Sequence, residues 1–224
     1  MKRIAHRGCA VQFPENTLRA FRSVAPHVDM IEFDLRRCAS GELVIFHDET
    51  LSDLTNGAGT IAETELDELR TFDVLDSGES IPTLAELLDV VPPSVELNAE
   101  LKESGIATDT QELLESSEHG YVISSFESEH IREVQAASPA TETALVFSSD
   151  PDSNLDLAAA LGCEYVHPRY DLCDGTDLID RAHERGFLVN VWTVPTAAMA
   201  RRLRRSGADG LMVDELSVLE TVAH

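Results

Sequence analysis

The stretch from Met30 to His47, MIEFDLRRCASGELVIFH, contains two short extended runs joined by a tight turn. The first run, Met30–Leu35, alternates apolar residues with two carboxylates, as a β-strand with two different faces does. The second run, Leu43–His47, begins after a turn that is too short to connect parallel strands. We therefore predict that these two runs form an antiparallel hairpin.

The register of this hairpin decides which side chains share a face. If Arg37 pairs with Glu42, Glu32 lies opposite His47, and Asp34 lies on the same face of the first strand. Directly paired residues project to the same side of a sheet. The sequence thus predicts that Glu32, Asp34 and His47 meet at one end of the sheet.

Outward from the hairpin, strand-like runs alternate with amphipathic helical segments over the whole chain of 224 residues. The predicted parallel strands are Arg3–Ala5, Met30–Leu35, Val95–Leu101, Tyr121–Ser124, Thr143–Phe147, Glu164–Val166, Leu188–Trp192 and Gly210–Val213. Eight βα units of this length predict an α/β fold, a (β/α)8 TIM barrel. A doubly wound open sheet is the alternative, although no G-x-G-x-x-G motif follows the first strand.

We expect a single barrel domain over residues 1–224, with the hairpin and a small insertion added to the barrel. The insertion spans about residues 49–81 and contains a glycine-rich turn at Asn56-Gly57-Ala58-Gly59. A short helical piece follows near Glu65–Phe72. We predict that this segment forms a cap over the barrel mouth, where the loops after the strands carry function.

The carboxylates of the first hairpin strand are predicted to point into the barrel. Ile31, Phe33 and Leu35 supply an apolar face toward the helices, which leaves Glu32 and Asp34 inside. Two buried carboxylates cost much free energy unless a cation neutralises them. Oxygen ligands favour Mg²⁺ or Ca²⁺. The alternative is a solvent-facing acidic strand, which is common in so acidic a chain.

A second polar face follows the next barrel strand. Glu96, Asn98, Glu100 and Lys102 alternate along it and therefore share one side. Lys2 and Lys102 are the only lysines of the chain, so a lysine retained here suggests that a compact ammonium group is required. Four polar side chains on one inward face indicate a site, because a barrel interior is otherwise filled by branched apolar residues.

The acidic composition limits the function classes. Asp and Glu number 41 against 17 Lys and Arg, for a net charge of -24, which disfavours nucleic acid partners and anionic membranes. No apolar run is long enough for membrane insertion, and we expect a cytoplasmic protein with four free cysteines. The scarcity of lysine together with the acidity is typical of salt-accumulating, halophilic organisms. An ordinary acidic cytosolic protein is the alternative.

Several short motifs occur in a fixed order, and each is weak by itself. They are His6-Arg7-Gly8, Pro14-Glu15-Asn16-Thr17, Glu32-x-Asp34, His47-Asp48, Glu100-Leu101-Lys102, Ser124-Ser125-Phe126, Trp192-Thr193 and Gly207-Ala208-Asp209-Gly210. Together they resemble the glycerophosphodiester phosphodiesterase family, whose barrel is shared with phosphatidylinositol phospholipase C, and the composition suggests a member from a halophilic archaeon. The resemblance covers essentially the whole chain.

The resemblance implies a role for each matched residue. It implies His6 and His47 as the acid–base pair, and Glu32, Asp34 and Glu100 as ligands of a divalent metal, Mg²⁺ or Ca²⁺. Substrate contacts are expected from Arg7, Glu15, Lys102 and Trp192. The implied reaction is hydrolysis of a small-molecule glycerophosphodiester to glycerol phosphate and an alcohol. The alternatives are a lysophospholipase D activity and a catalytically inactive phosphoester-binding barrel.

The net charge of -24 generates a first prediction about stability. Raising KCl from 0.1 M to 1 M shortens the Debye length from about 10 Å to about 3 Å and screens the self-repulsion of the folded chain. We expect the melting temperature, measured by circular dichroism, to rise across this range and to continue rising above it. A flat or falling melting temperature would contradict the halophilic interpretation.

Overall fold

The computed structural model describes residues 1–220, so the last four residues of the expected domain lie outside the described part. The strands are β1 (Lys2–His6), β2 (Met30–Arg37), β3 (Leu43–Ile45), β4 (Glu96–Leu101), β5 (Tyr121–Ser125), β6 (Thr143–Phe147), β7 (Tyr165–Pro168), β8 (Leu188–Val191) and β9 (Gly210–Val213). The α-helices are α1 (Leu18–Val24), α2 (Leu66–Leu69), α3 (Leu84–Val90), α4 (Ala107–Glu115), α5 (Ser128–Ala137), α6 (Pro151–Leu161), α7 (Tyr170–Cys173), α8 (Leu178–Glu184), α9 (Ala197–Arg205) and α10 (Ser217–Glu220). None of these helices is long and apolar enough to cross a membrane.

Eight of the strands form a closed parallel barrel. The sheet order is β1-β9-β8-β7-β6-β5-β4-β2-β3, and β1 also pairs with β2, which closes the ring and leaves β3 outside it. The predicted (β/α)8 barrel is confirmed, and all eight predicted strands are present with ends that differ by at most two residues. Parallel neighbours fix the carboxyl ends of the strands at one end of the barrel.

An apolar layer lies between the barrel strands and the surrounding helices, and the barrel interior contains both apolar and polar side chains. Ile31, Phe33 and Leu35 are fully buried between β2 and the surrounding helices, as the alternation in this strand predicts. Inside the barrel a separate apolar cluster, which includes Met30 and Tyr165, fills the lower part. The polar residues of β2 and β4 lie above this cluster, toward the carboxyl ends of the strands. The fold therefore supplies a closed bottom and a polar upper cavity.

The hairpin forms as predicted, but its register differs by one residue. Leu35 pairs with Ile45, where the sequence-based register places Asp34 opposite Ile45 and Glu32 opposite His47. The β1 strand occupies the same edge of β2 as far as Glu32, so β3 can pair only with later residues. The ladder then stops, and His47 lies beyond the strand rather than on its face. Glu32, Asp34 and His47 nevertheless lie close together, because the chain that follows β3 brings His47 to the same cavity.

Residues 49–81 form a compact lobe with its own small apolar cluster. The cluster contains Phe46, Leu51, Ile61, Leu69 and Ile81, all buried. Short antiparallel bridges tie the segment together, for example between Thr50 and Thr60. The helical piece predicted near 65–72 is present as α2. The role of this lobe as a cap over the barrel mouth stays a prediction.

The inward position of Gly210 generates a stability prediction. A Cβ atom at Gly210 would lie 2.3 Å from Asn190 Oδ1 and 2.8 Å from Ile4 Cδ1, inside the barrel. We expect Gly210→Ala to lower the free energy of unfolding by about 1–3 kcal/mol, because overpacking forces neighbours apart. The measurement is urea unfolding at constant salt.

Gly120→Ala is the matched control for this substitution. There the nearest side-chain atom, Glu96 Cγ, lies 3.4 Å from the added Cβ, which is an ordinary contact. We expect this control to change stability by less than about 0.5 kcal/mol. Equal free energies of unfolding for the two variants would show that Gly210 is not sterically required.

Candidate active site

The candidate site is a cavity at the carboxyl ends of the barrel strands, with a volume of about 180 Å³. Seven of the nine residues predicted from the sequence line it, namely His6, Arg7, Glu32, His47, Glu100, Lys102 and Trp192. The other two, Asp34 and Glu15, do not line the cavity but form ion pairs with Arg7, which does. The structure therefore gathers all nine predicted residues in one place.

The first strand ends in an unusual turn that shapes the site. Arg7, Gly8 and Cys9 have φ values of 51°, 78° and 68°, a run of left-handed conformations that turns the chain sharply. Glycine is required at position 8 because of its positive φ and also because a Cβ atom there would lie 2.7 Å from the Cβ of Ala20. The turn lets the Arg7 amide donate a hydrogen bond of 3.0 Å to the Glu32 carboxylate.

Three buried carboxylates form the centre of the site. Glu32, Asp34 and Glu100 each place one carboxylate oxygen within 4.8 Å of the others, and their exposed fractions are 1%, 0% and 8%. The parallel register sets Asp34 beside Glu100 across β2 and β4. Three carboxylates at this separation repel one another strongly in a medium of low polarity.

The surrounding charges act on these carboxylates unequally. Burial raises the pKa of Glu32 to about 8, and the neighbouring charge of Asp34 adds to the rise. Burial also favours the neutral form of Asp34, but the charges of Lys102 and Arg7 outweigh it and hold the pKa of Asp34 below its usual range. Burial and the charge of Asp34 thus favour the neutral form of Glu32, whereas a further cation would favour its charged form.

The donor set fits a divalent metal ion. Glu32 Oε1 is buried and has no hydrogen-bond partner among residues 1–220, although an oxygen in this position ordinarily has one. The cluster supplies oxygen donors alone, which suit a hard cation. The protein thus contains an acidic group that can hold a metal ion.

Two of the three histidines that line the cavity are each paired with an aspartate. His6 Nδ1 lies 2.6 Å from Asp214 Oδ1, and His47 Nδ1 lies 2.6 Å from Asp48 Oδ1. These contacts orient each ring and leave Nε2 for the cavity. Burial disfavours protonation of His6, but Glu32 and Asp214 outweigh it and raise the pKa of His6 above its ordinary value.

The two predicted cationic groups are anchored by the carboxylates. Lys102 Nζ lies 3.0 Å from Asp34 Oδ1 and donates a hydrogen bond to Glu100. The Arg7 guanidinium lies 3.1 Å from both Asp34 and Glu15. Glu15 therefore holds Arg7 and does not line the cavity itself. Both cations remain at the cavity wall, where they can meet a phosphate group.

An aromatic pair forms one side of the mouth. Trp192 and Phe126 pack edge to face, with ring centroids 5.4 Å apart. The indole Nε1 of Trp192 donates a hydrogen bond of 2.7 Å to the backbone oxygen of His167. Phe126 is 42% exposed, so an apolar surface faces outward beside the cavity. This pair can contact an alcohol group that leaves through the mouth.

Several residues that the structure brings to the site have no role implied by the sequence motifs. Asp214 directly follows β9, and its inward direction could have been inferred from Gly210 and Met212 on the same face. Asn16 donates a hydrogen bond of 2.8 Å to Asp34 and has a φ of 56°. His167, Val146 and Met212 also line the cavity, as does Asn98, which the alternation along its strand had placed on the inward polar face.

Comparison with known proteins agrees with this geometry. The chain matches the model of the glycerophosphoryl diester phosphodiesterase family over residues 6–218. It is 30% identical to a glycerophosphodiester phosphodiesterase of Caldanaerobacter subterraneus subsp. tengcongensis, over 96% of this chain and 95% of that one. A phosphodiesterase of Oleispira antarctica, solved with its product sn-glycerol-3-phosphate, is 26% identical with a TM-score of 0.92, covering 100% of this chain and 97% of that one.

A glycerophosphodiester phosphodiesterase from Thermotoga maritima shares the fold, at a TM-score of 0.85 and 23% identity over 98% of this chain and 97% of that one. The matched family residues begin at His6, the first residue of the site, and extend past Asp214, the last. The family model therefore spans every residue that lines the cavity. The chain belongs to the glycerophosphoryl diester phosphodiesterase family.

Proposed function

We propose that this enzyme hydrolyses glycerophosphodiesters to glycerol phosphate and an alcohol in a metal-dependent reaction. The observation that carries the proposal is the group of three buried carboxylates beside two aspartate-paired histidines in one cavity. Membership of the family supports the substrate class. The Oleispira antarctica relative, bound to sn-glycerol-3-phosphate, supports the same enantiomer for the product here.

Glu32, Asp34 and Glu100 would hold the metal, which we propose to be Mg²⁺ or Ca²⁺ because the donors are carboxylate oxygens. When bound, such an ion withdraws charge from the phosphate oxygens. Arg7 and Lys102 add fixed positive charge at the cavity wall, where negative charge increases in the transition state. Asp34 and Glu15 keep the Arg7 guanidinium in place before the substrate arrives.

His6 and His47 are proposed to share the two proton transfers. One ring accepts a proton from the nucleophile, which is water or the neighbouring glycerol hydroxyl, and the other donates a proton to the leaving alcohol. Asp214 and Asp48 each accept a hydrogen bond at Nδ1 and so stabilise the protonated ring and its orientation. The paired arrangement gives each histidine an Nε2 that can exchange a proton with the substrate.

The cavity favours this activity over the two alternatives. A volume of about 180 Å³ suits a glycerol phosphate group, whereas a lysophospholipase D must also accommodate an acyl chain near the site. An inactive phosphoester-binding barrel predicts a broken histidine pair or carboxylate group. Both sets are complete here. Hydrolysis of lysophosphatidylcholine at a rate above that of glycerophosphocholine would favour the first alternative.

We also propose a cytoplasmic location for the enzyme. Cys9, Cys38, Cys163 and Cys173 are all buried and unpaired, which is the usual state in a reducing compartment. Burial raises the pKa of the Cys9 thiol to about 12, so this residue beside the first strand is not a nucleophile near neutral pH. We also propose that the enzyme is adapted to high salt, because its net charge is -24.

Substituting the histidines tests the proton transfers. We expect His6→Ala and His47→Ala each to lower kcat for glycerophosphocholine by about 10²–10⁴-fold, because each removes a proton carrier. His27→Ala is the control, since this histidine is exposed and lies away from the cavity. Steady-state kinetics with circular dichroism of each variant is the measurement. Single variants that retain near-wild-type rates would overturn the acid–base assignment.

Removing the metal tests the carboxylate group. We expect exhaustive chelation to abolish activity, and added Mg²⁺ or Ca²⁺ to restore it. Glu100→Gln should raise the metal concentration for half-maximal activity by about tenfold or more, because it removes one charged ligand. Glu112→Gln, on the exposed face of α4, should leave that concentration unchanged. Full activity after chelation would show that the carboxylates serve another purpose.

A further inference from the structure

Four of the residues that line the cavity, Asn98, Val146, His167 and Met212, are at most 5% exposed, and we call them the cavity floor. Two of these side chains keep a polar atom without a hydrogen-bond partner among residues 1–220, namely Asn98 Oδ1 and His167 Nδ1. Each of the two residues is only 1% exposed. Buried polar groups ordinarily have partners, so the floor is built to meet a polar molecule.

The environment of His167 fixes what its ring can offer. Asn190 Nδ2 lies 3.2 Å from His167 Nε2 and donates a hydrogen bond to it, so the proton of the neutral ring is on Nδ1. Burial lowers the pKa of His167 to about 3, which keeps the ring neutral. His167 therefore presents a hydrogen-bond donor, Nδ1–H, and carries no charge.

Asn98 supplies the complementary group. It lies on β4, two residues before Glu100 and thus one step deeper in the barrel, and its Oδ1 is an acceptor. His167 lies on β7, three strands around the barrel. The remaining floor residues, Val146 and Met212, are apolar. A donor, an acceptor and apolar contacts, without a cation, suit a short carbon chain with hydroxyl groups and do not suit a phosphate.

The other candidates for holding hydroxyl groups are already engaged. Lys102 contacts Asp34 and Glu100, and Glu15 contacts Arg7. The leaving alcohol varies in size among glycerophosphodiesters, so it requires the open mouth, whereas the glycerol end is constant and small. An enclosed floor therefore fits the glycerol end.

We propose that Asn98 and His167 bind the hydroxyl groups of the glycerol end of the substrate and determine the specificity for glycerol; this rests on the proposed function. The substrate then lies with its glycerol on the cavity floor, its phosphate beside the carboxylates and Arg7, and its alcohol toward Trp192. Each hydroxyl group both donates and accepts, so it can satisfy Asn98 Oδ1 and His167 Nδ1.

The proposed role of Asn98 and His167 can be tested by measuring ligand binding, which does not require catalytic turnover. The probes are sn-glycerol-3-phosphate and propyl phosphate, which lacks the hydroxyl groups, measured by isothermal titration calorimetry of the full chain with Mg²⁺ or Ca²⁺. In the wild type we expect sn-glycerol-3-phosphate to bind about tenfold more tightly or better, because propyl phosphate leaves the buried polar atoms unpaired. The wild type should also bind sn-glycerol-3-phosphate more tightly than sn-glycerol-1-phosphate.

Two variants remove the proposed contacts separately. His167→Leu and Asn98→Leu should each reduce the ratio of the two dissociation constants by about fivefold or more, while the dissociation constant of propyl phosphate changes less than about threefold. Thr110→Val is the matched control, because Thr110 is buried in α4, away from the cavity, and its hydroxyl has no hydrogen-bond partner in the described part of the chain. This control should keep the wild-type ratio.

The outcomes separate this inference from the proposed function. An unchanged ratio in both leucine variants, or an equal loss for both ligands, would overturn the assignment of the floor residues. Equal wild-type affinity for the two ligands would also overturn it, even if the wild type hydrolyses glycerophosphocholine. If the wild type does not hydrolyse glycerophosphocholine in the presence of either metal, the proposed function itself fails.

Discussion

The structure depends on one electrostatic constraint, the burial of three carboxylates within 4.8 Å of one another inside a barrel. Charges removed from water in this way are tolerated only when cations and hydrogen bonds surround them. Lys102, Arg7 and Asn16 all direct their polar groups to Asp34. The charge of Glu32 is less well neutralised by neighbouring cations, and its pKa is raised. A divalent cation would supply the missing positive charge.

Much of the local backbone around this group follows from the same constraint. The left-handed turn at Arg7, Gly8 and Cys9 ends β1 early and directs the Arg7 amide to Glu32. Because β1 ends there, the far part of β2 is free to pair with β3, and the chain then leaves β3 with His47 at the cavity. The irregular hairpin is therefore part of the site's construction.

The sequence predicts the barrel well because its signals are local. Alternating segments specify the strands, and the apolar Ile31 and Phe33 show from their spacing that Glu32 points inward. The exact hairpin register is not predictable in this way, since competition between β1 and β3 for one edge of β2 is a long-range effect.

In the candidate site, too, local motifs can be predicted from the sequence and long-range contacts cannot. His6, Glu32 and Glu100 come from motifs that can be read along the chain, whereas the pairing of His6 with Asp214 joins residues 208 positions apart. The position of His167 near a strand end indicates that it could reach the mouth, but only the barrel reveals that its ring is buried at the cavity, with an Nδ1 that has no hydrogen-bond partner among residues 1–220. Contacts between distant strands depend on barrel closure and are set by tertiary packing.

Metal-dependent hydrolysis is tested most directly by identifying the products formed from glycerophosphocholine by phosphorus NMR, with the purified wild-type chain in molar KCl and Mg²⁺ or Ca²⁺. We expect a single new phosphorus signal, that of glycerol phosphate, with choline released in equal amount. The appearance of phosphocholine, or no cleavage with either metal, would contradict it.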